Sequence, residues 1–212
     1  MAAEVTLTFD NGPDPATTPG VLAALAARDV RATFFVVGER LATARGLAER
    51  AYAEGHWIGN HTWTHRAPFG ELDDACAPHG EIERTQALIG DLSHPDRLFR
   101  PVGGGGALGP HVLTAETVEV LAAGGFTCVL WNAVPRDWED PDGWVARALE
   151  QCRARARPLL VLHDLPTGAM AHLGAFLDAA LDEGMTFTQA FPGACVPIVR
   201  GEIVGPLAGL GG

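Results

Sequence analysis

The chain has 212 residues, 47% of them apolar, enough for one domain spanning 1–212 with a sizeable buried core. Its formal net charge is −11 and all fifteen basic residues are Arg, so an acidic surface without a basic cluster argues against nucleic acid as a partner. No apolar run approaches the roughly 20 residues of a membrane helix, and Met1-Ala2-Ala3-Glu4-Val5 shows no basic-then-apolar leader; the expectation is a cytoplasmic chain that makes no membrane contact.

In chain order, Val5 to Phe9 reads as a strand, and Thr18 to Arg28 as a helix capped by Thr17 or Thr18. Ala32 to Val37 is a second strand, and Glu39 to Glu54 a helix ended by Gly55. Trp57 to Gly59 forms a short strand, and a helix follows over Glu71 to Ile89, broken or re-capped at Pro78-His79-Gly80. Arg97 to Arg100 is a strand, Pro110 to Ala123 a helix begun by its proline, and Phe126 to Trp131 a strand. Pro141 to Arg155 is helical, Pro158 to His163 a strand, and Thr167 to Glu183 helical. Met185 to Phe187 closes the series before a tail punctuated by Gly and Pro. No internal repeat or linker divides the chain. The cysteines at 76, 128, 152 and 195 form no CxxC pair and read as small buried thiols rather than as a disulfide framework.

Repeated strand–helix units with nearly continuous apolar strands imply a parallel sheet covered by helices. Polar motifs fall after Phe9, Gly59, Phe99, Trp131 and Leu162, at the C-terminal ends of five strands. A closed or distorted (β/α) barrel gathers such ends on one face, whereas an open sheet spreads them along its edge. The fold class is therefore α/β, as a distorted, TIM-barrel-like (β/α) barrel.

Each motif has a chemical reading. Asp10 and Asn11 follow the first strand, and Gly12-Pro13 turns the chain at once, exposing a carboxylate to a cleft; the same residues also suit an ordinary turn. His61 and His65 are spaced i, i+4; on a helical turn both imidazoles face one metal, with Trp63 walling the site. Arg100 ends the fourth strand before Gly103-Gly104-Gly105-Gly106 and can orient a carboxylate through a bidentate contact. The glycines lack the Lys and Ser/Thr of a phosphate loop. Asp137-Trp138 follows the fifth strand, and His163 sits just past Leu159 to Leu162, where its pKa is tunable. Singly, each has a purely structural reading.

In order and spacing the five motifs resemble the polysaccharide deacetylase (NodB homology, carbohydrate esterase family 4) family over about Val5 to Asp164, and loosely to Phe187. That family reads TFDDGP, H-[ST]-x-x-H, R-x-P with a following aromatic, a D-W pair, and L-x-H. Here the counterparts are Thr8 to Pro13, His61 to His65, Arg100-Pro101-Val102, Asp137-Trp138 and Leu162-His163. The resemblance implies a NodB-type distorted barrel that removes acetyl groups from N- or O-acetylated carbohydrates with a divalent metal, zinc first among candidates. It makes Asp10 the general base and His163 the general acid, with Arg100 holding Asp10 and Asp137 tuning His163. Asn11, His61 and His65 become the metal ligands, Gly103 an N–H donor to the developing oxyanion, and Trp138 and Leu162 the pocket for the acetyl methyl.

Three departures stand out. Asn11 replaces the second Asp, substituting a neutral and weaker oxygen donor. Val102-Gly103 replaces a proline and an aromatic, removing a ring that stacks on sugar and widening the cleft. Val134 occupies a position that is often acidic. Alternative readings are an amidase for a small non-polymeric amide, and a weakly active or inactive carbohydrate binder; the base and acid pair disfavours the last.

Overall fold

The computed structural model describes residues 2–72, 74, 77–205 and 207. Its centre is β1, Glu4–Asp10, buried at every position but the first. β1 lies parallel between β2, Thr33–Val36, and β6, Leu159–His163, and its first half also pairs with β7, Thr186–Thr188. The sheet continues in parallel through β3, Trp57–Asn60, to β4, Leu98–Phe99, and β5, Thr127–Cys128. Beyond β5 the chain curls back to β6 through a single parallel bridge, Ala133 with Leu160. That rung is held by Val161 N–H to Ala133 O at 3.0 Å and Ala133 N–H to Leu159 O at 3.1 Å. The Asn132 carboxamide oxygen also accepts the Leu159 N–H at 2.8 Å. This thin closure makes the architecture a distorted (β/α) barrel, as the strand-end motifs anticipated.

Helices α1 (Thr18–Ala26), α2 (Gly38–Ala53), α5 (Trp144–Arg153) and α6 (Leu173–Asp182) pack on the outer face of β1, β2 and β6. The two-residue period of a strand sends Val5, Leu7 and Phe9 of β1, and Leu160 and Leu162 of β6, into this outer core. The alternate residues Thr6, Thr8 and Asp10 face the interior and are buried too. Phe35, Phe99 and Val161 belong to a second core, within and below the barrel. The buried Phe and Leu side chains each contribute roughly 1.5–3 kcal/mol, so an interior lined by Thr8, Asp10 and Arg100 is a departure that function must explain.

Element boundaries shifted where polar turns intervene. The segment expected to be helical over Glu71 to Ile89 is a 3-10 turn at Phe69–Glu71, a π-helical turn at His79–Glu83 and only then α3, Arg84–Ile89. α4 begins at Ala115 rather than Pro110, because Thr114 caps it in a reciprocal box with Thr117. Trp144 begins α5, and a 3-10 turn at Ala169–His172 precedes α6. Neither Thr17 nor Thr18 caps α1 with its side chain; Thr18 donates instead to Asp164 at 2.5 Å. The tail adds an unanticipated antiparallel hairpin, β8 Ile198–Val199 and β9 Glu202–Ile203, joined to β5. Cys128, Cys152 and Cys195 are free and buried, and burial pushes the first two thiols up to about 12; Cys76 lies outside the described residues. Among the described residues no helix is long and apolar enough to cross a membrane.

Candidate active site

The strand ends open into one cavity of about 530 Å³, within the range of small-molecule sites. Asp10, Asn11, His61, His65, Gly103, Trp138 and His163 all line it. Arg100 and Asp137 stand directly behind, fully buried. Leu162 does not reach the cavity. It sits on the opposite pleat from His163, in the outer core, and Val161 takes the lining position with Leu165. The sequence reading of the acetyl pocket was thus one residue out of register on a strand, where one residue reverses the face.

Arg100 is the hub. Its Nη1 donates to Asp10 Oδ1 at 2.8 Å and to the Thr8 hydroxyl at 2.7 Å. Nε and Nη2 donate to the carbonyls of Val129 and Leu130, and the guanidinium lies 4.1 Å from the Phe35 ring centre. The expected bidentate contact is therefore a single one. It leaves Asp10 Oδ2 free toward the cavity side, 3.6 Å from His61 Nε2. Burial alone would raise the Asp10 carboxyl, but the charge and hydrogen bond of Arg100 foremost, with His163 behind it, outweigh burial and hold the pKa below the ordinary value.

His163 has the opposite bias. Burial would lower it, but Asp137 accepts its Nδ1–H at 2.8 Å and its backbone N–H at 3.0 Å, and the pKa ends up raised. Trp138 meets the imidazole edge-on, ring centres 4.7 Å apart. The cavity therefore contains a carboxylate biased to stay ionised and an imidazole biased to stay protonated, the pairing that acid–base hydrolysis requires.

His61 and His65 do not lie on a helical turn. Thr62 and His65 both take left-handed backbone conformations, φ 68° and 53°, and the loop so formed brings the two ring centres within 4.7 Å, the planes tilted by 56°. Local side chains hold it: Asn60 Oδ1 accepts the Thr62 N–H, and Glu81 accepts the N–H groups of Trp63 and Thr64 and the Thr64 hydroxyl. Trp63 walls nothing. It packs under Arg84, 3.6 Å from ring to guanidinium, where a side chain at Gly38 would collide with it.

Among the described residues no three His, Cys, Asp or Glu side chains form a metal-holding group, so an ion here would have to draw on the Asn11 carboxamide beside the two imidazoles. The donors suit one. Asn11 Oδ1 is buried with no hydrogen-bond partner, a costly state that a cation relieves. His61 Nδ1 lies 2.8 Å from the Arg100 carbonyl; donating its proton there fixes the tautomer and leaves Nε2 a lone pair. Burial lowers both imidazoles, His65 to about 3, which favours the neutral form that a metal ligand requires. Asn11 itself sits at φ 75°, a conformation to which Asn is suited.

Asp164 gave no signal in the sequence. Thr18 donates to it, and a Cβ on Gly12 would fall on its carboxylate. Burial raises it to about 7. The cleft also keeps an aromatic wall despite Gly103: Trp131 lines it. Thr8, Asn60, Glu81, Trp131 and Asp164 are the functional neighbours that motif reading missed, since their roles depend on contacts distant in sequence.

Comparison with known proteins agrees with this fold. The family model described as polysaccharide deacetylase matches residues 2–129; Asp137 and His163 lie beyond that span and rest on the geometry above. The chain is 39% identical over 165 residues to a chitooligosaccharide deacetylase of Rhizobium leguminosarum bv. phaseoli, covering 74% of this chain and 66% of that protein. It is 36% identical to a chitooligosaccharide deacetylase of Bradyrhizobium sp., over 76% and 70% of the two chains. A peptidoglycan-N-acetylglucosamine deacetylase of Listeria monocytogenes is 28% identical over 86% of this chain, which spans 37% of that longer protein. Among solved structures, a family 4 carbohydrate esterase from Streptomyces lividans in complex with acetate superposes with a TM-score of 0.75 at 28% identity, over 96% and 98% of the chains. The chain belongs to the polysaccharide deacetylase family.

Proposed function

We propose that this chain is a metal-dependent hydrolase that removes the acetyl group from an N-acetylglucosamine unit of a chitooligosaccharide or of peptidoglycan. The observation that carries the proposal is the geometry across one cavity: Arg100 holds Asp10 Oδ1 at 2.8 Å and Asp137 holds His163 Nδ1 at 2.8 Å, contacts that favour an ionised carboxylate and a protonated imidazole. Asn11, His61 and His65 would hold the divalent ion, zinc being the best match to two imidazoles and one oxygen. The ion, when bound, polarises the acetyl carbonyl and acidifies the attacking water.

The side chains supply the remainder. Asp10 Oδ2, free of Arg100, takes the proton of the attacking water. His163 Nε2, opposite the Nδ1 that Asp137 occupies, donates a proton to the departing amine so that it leaves neutral. The backbone N–H of Gly103 has no acceptor among the described residues and offers a hydrogen bond to the oxyanion. Trp138, Val161 and Leu165 border the space for the methyl group. The relatives are named as deacetylases of chitooligosaccharide and of peptidoglycan N-acetylglucosamine, and Trp131 retains an aromatic wall suited to a sugar face; both favour a glycan over a small amide.

The test is acetate release from N-acetylated chitooligosaccharide, with the protein as purified, after chelation, and after metal is restored. Release should fall with the chelator and return with zinc. Release by metal-free protein at the full rate, or by Asp10→Asn and His163→Ala together, overturns the mechanism.

A further inference from the structure

Resting on the deacetylase reading above, we propose that Trp131 is a positioning residue that clamps the tetraglycine turn and thereby aims the Gly103 N–H at the reacting carbonyl. Two contacts act on opposite ends of the turn. The indole N–H donates to the Gly106 carbonyl at 2.7 Å. The far edge of the same indole lies against Gly103, where a Cβ would come within 2.6 Å of two ring carbons. Gly103 is absent from the positive-φ residues of the chain, so its φ is not one that demands glycine. The indole, not the backbone, requires glycine there.

Beyond the indole the turn meets a long contact from His111 Nε2 to the Gly103 carbonyl at 3.4 Å, and Pro68 and Val134 lie beside Gly104 and Gly106. Gly104, Gly105 and Gly106 all have positive φ, at 54°, 90° and 89°, conformations that glycine adopts freely but does not enforce. Its internal hydrogen bond, Gly106 N–H to Gly103 O, is long at 3.4 Å. Among the described residues the N–H groups of Gly103, Gly104 and Gly105 have no acceptor. A turn of this kind has high conformational entropy unless something outside it fixes both ends.

The clamp is also tied to the base. Trp131 is 6% exposed and follows Leu130, whose carbonyl receives Arg100 Nη2 at 3.2 Å, while Arg100 Nη1 holds Asp10. One rigid unit thus sets the oxyanion donor relative to the carboxylate. A displacement of about 1 Å at such a point is enough to cost roughly 100-fold in rate.

Trp131→Phe removes the indole N–H and the outer ring carbons while keeping an aromatic. Acetate release should show kcat falling roughly 10- to 100-fold with KM changed less than about two-fold. The acid and base limbs of the pH profile should stay in place. Gly103→Ala should be severely impaired alone and much less so in the Trp131→Phe background, because the colliding carbons are gone; the pair is then strongly non-additive. An unchanged kcat in Trp131→Phe, a loss confined to KM, or strict additivity overturns the proposal. If the wild-type protein released no acetate, the deacetylase reading would fail separately. Amide NMR of Gly104 to Gly106 then decides the clamp: faster exchange and broadening in Trp131→Phe support it, and unchanged glycine amides overturn it.

Discussion

Replacing Asp137 by Asn isolates the device that keeps His163 charged. Asp137 is wholly buried and uses both oxygens on one residue, Oδ1 for the imidazole Nδ1–H and Oδ2 for the backbone N–H. A carboxamide has a single acceptor oxygen, so one of those N–H groups must face an NH2. A hydrogen bond to a charged partner contributes roughly 1.5–3 kcal/mol, and one pKa unit corresponds to about 1.4 kcal/mol. Losing the carboxylate should therefore lower the His163 pKa by about one to two units. Because His163 acts in its protonated form, the alkaline limb of the kcat profile for acetate release should move down by that amount. Activity above the displaced limb falls roughly 10- to 100-fold, while the acid limb, set by Asp10, stays where it was. Stability carries an independent signature. A raised histidine stabilises the fold fully below its unfolded pKa, near 6.5, and that contribution fades as pH rises through the folded value. Urea unfolding should thus show Asp137→Asn more destabilised at pH 6 than at pH 9. An alkaline limb that does not move in a folded variant refutes the assignment of His163 as the acid.

The other variants probe the rest of the site. Asn11→Asp needs no backbone change at φ 75° and should tighten zinc binding on the order of 10- to 100-fold, no less than altering a ligand's hydrogen-bond partner does; unchanged competition with a chelator contradicts Asn11 as a ligand. Arg100→Met strands a buried carboxylate and should cost roughly 3–5 kcal/mol of stability, read as a lowered urea midpoint, and a midpoint within error of wild type counts against the hub. Asp164 is raised from 3.8 to about 7, so it costs the fold stability as pH climbs from about 4 to 7. Asp164→Asn should flatten that part of the stability–pH curve, and an unaltered slope rejects the shift.

The fold was legible because its strands are buried and mostly apolar and its charged and imidazole side chains cluster at their C-terminal ends. That pattern needs only local sequence, and it located Asp10, His61, His65, Arg100, Asp137 and His163. What the sequence hid was which way side chains point and which partners reach them from afar. Leu162 and Val161 are equally apolar, and only the pleat sends one outward. The histidine spacing of four fits a helical turn, yet Asn60 and Glu81 hold a left-handed loop that brings the same rings together. Gly103 read as a lost aromatic, whereas Trp131, 28 positions later, fills the space. Arg100 seemed made for a two-pronged grip, but the carbonyls of Val129 and Leu130 claim its other donors. Apart from the pleat at Leu162, a contact between distant segments overrode the local signal in each case.

Among the described residues a single bridge, Ala133 with Leu160, closes the ring of strands, and the Asn132 side chain and the Asp137–His163 hydrogen bonds reinforce that seam. A cylinder fastened at one rung has a preferred line of fracture. Parting there would carry the segment bearing Trp131 and Asp137 away from the strand bearing His163, while Asp10 stayed on β1, gripped by Arg100. The proton donor would lose its support before the proton acceptor lost its own. Slow amide exchange at Val161, whose N–H bridges the join, is thus a gauge of how long the two halves of the chemistry remain in step.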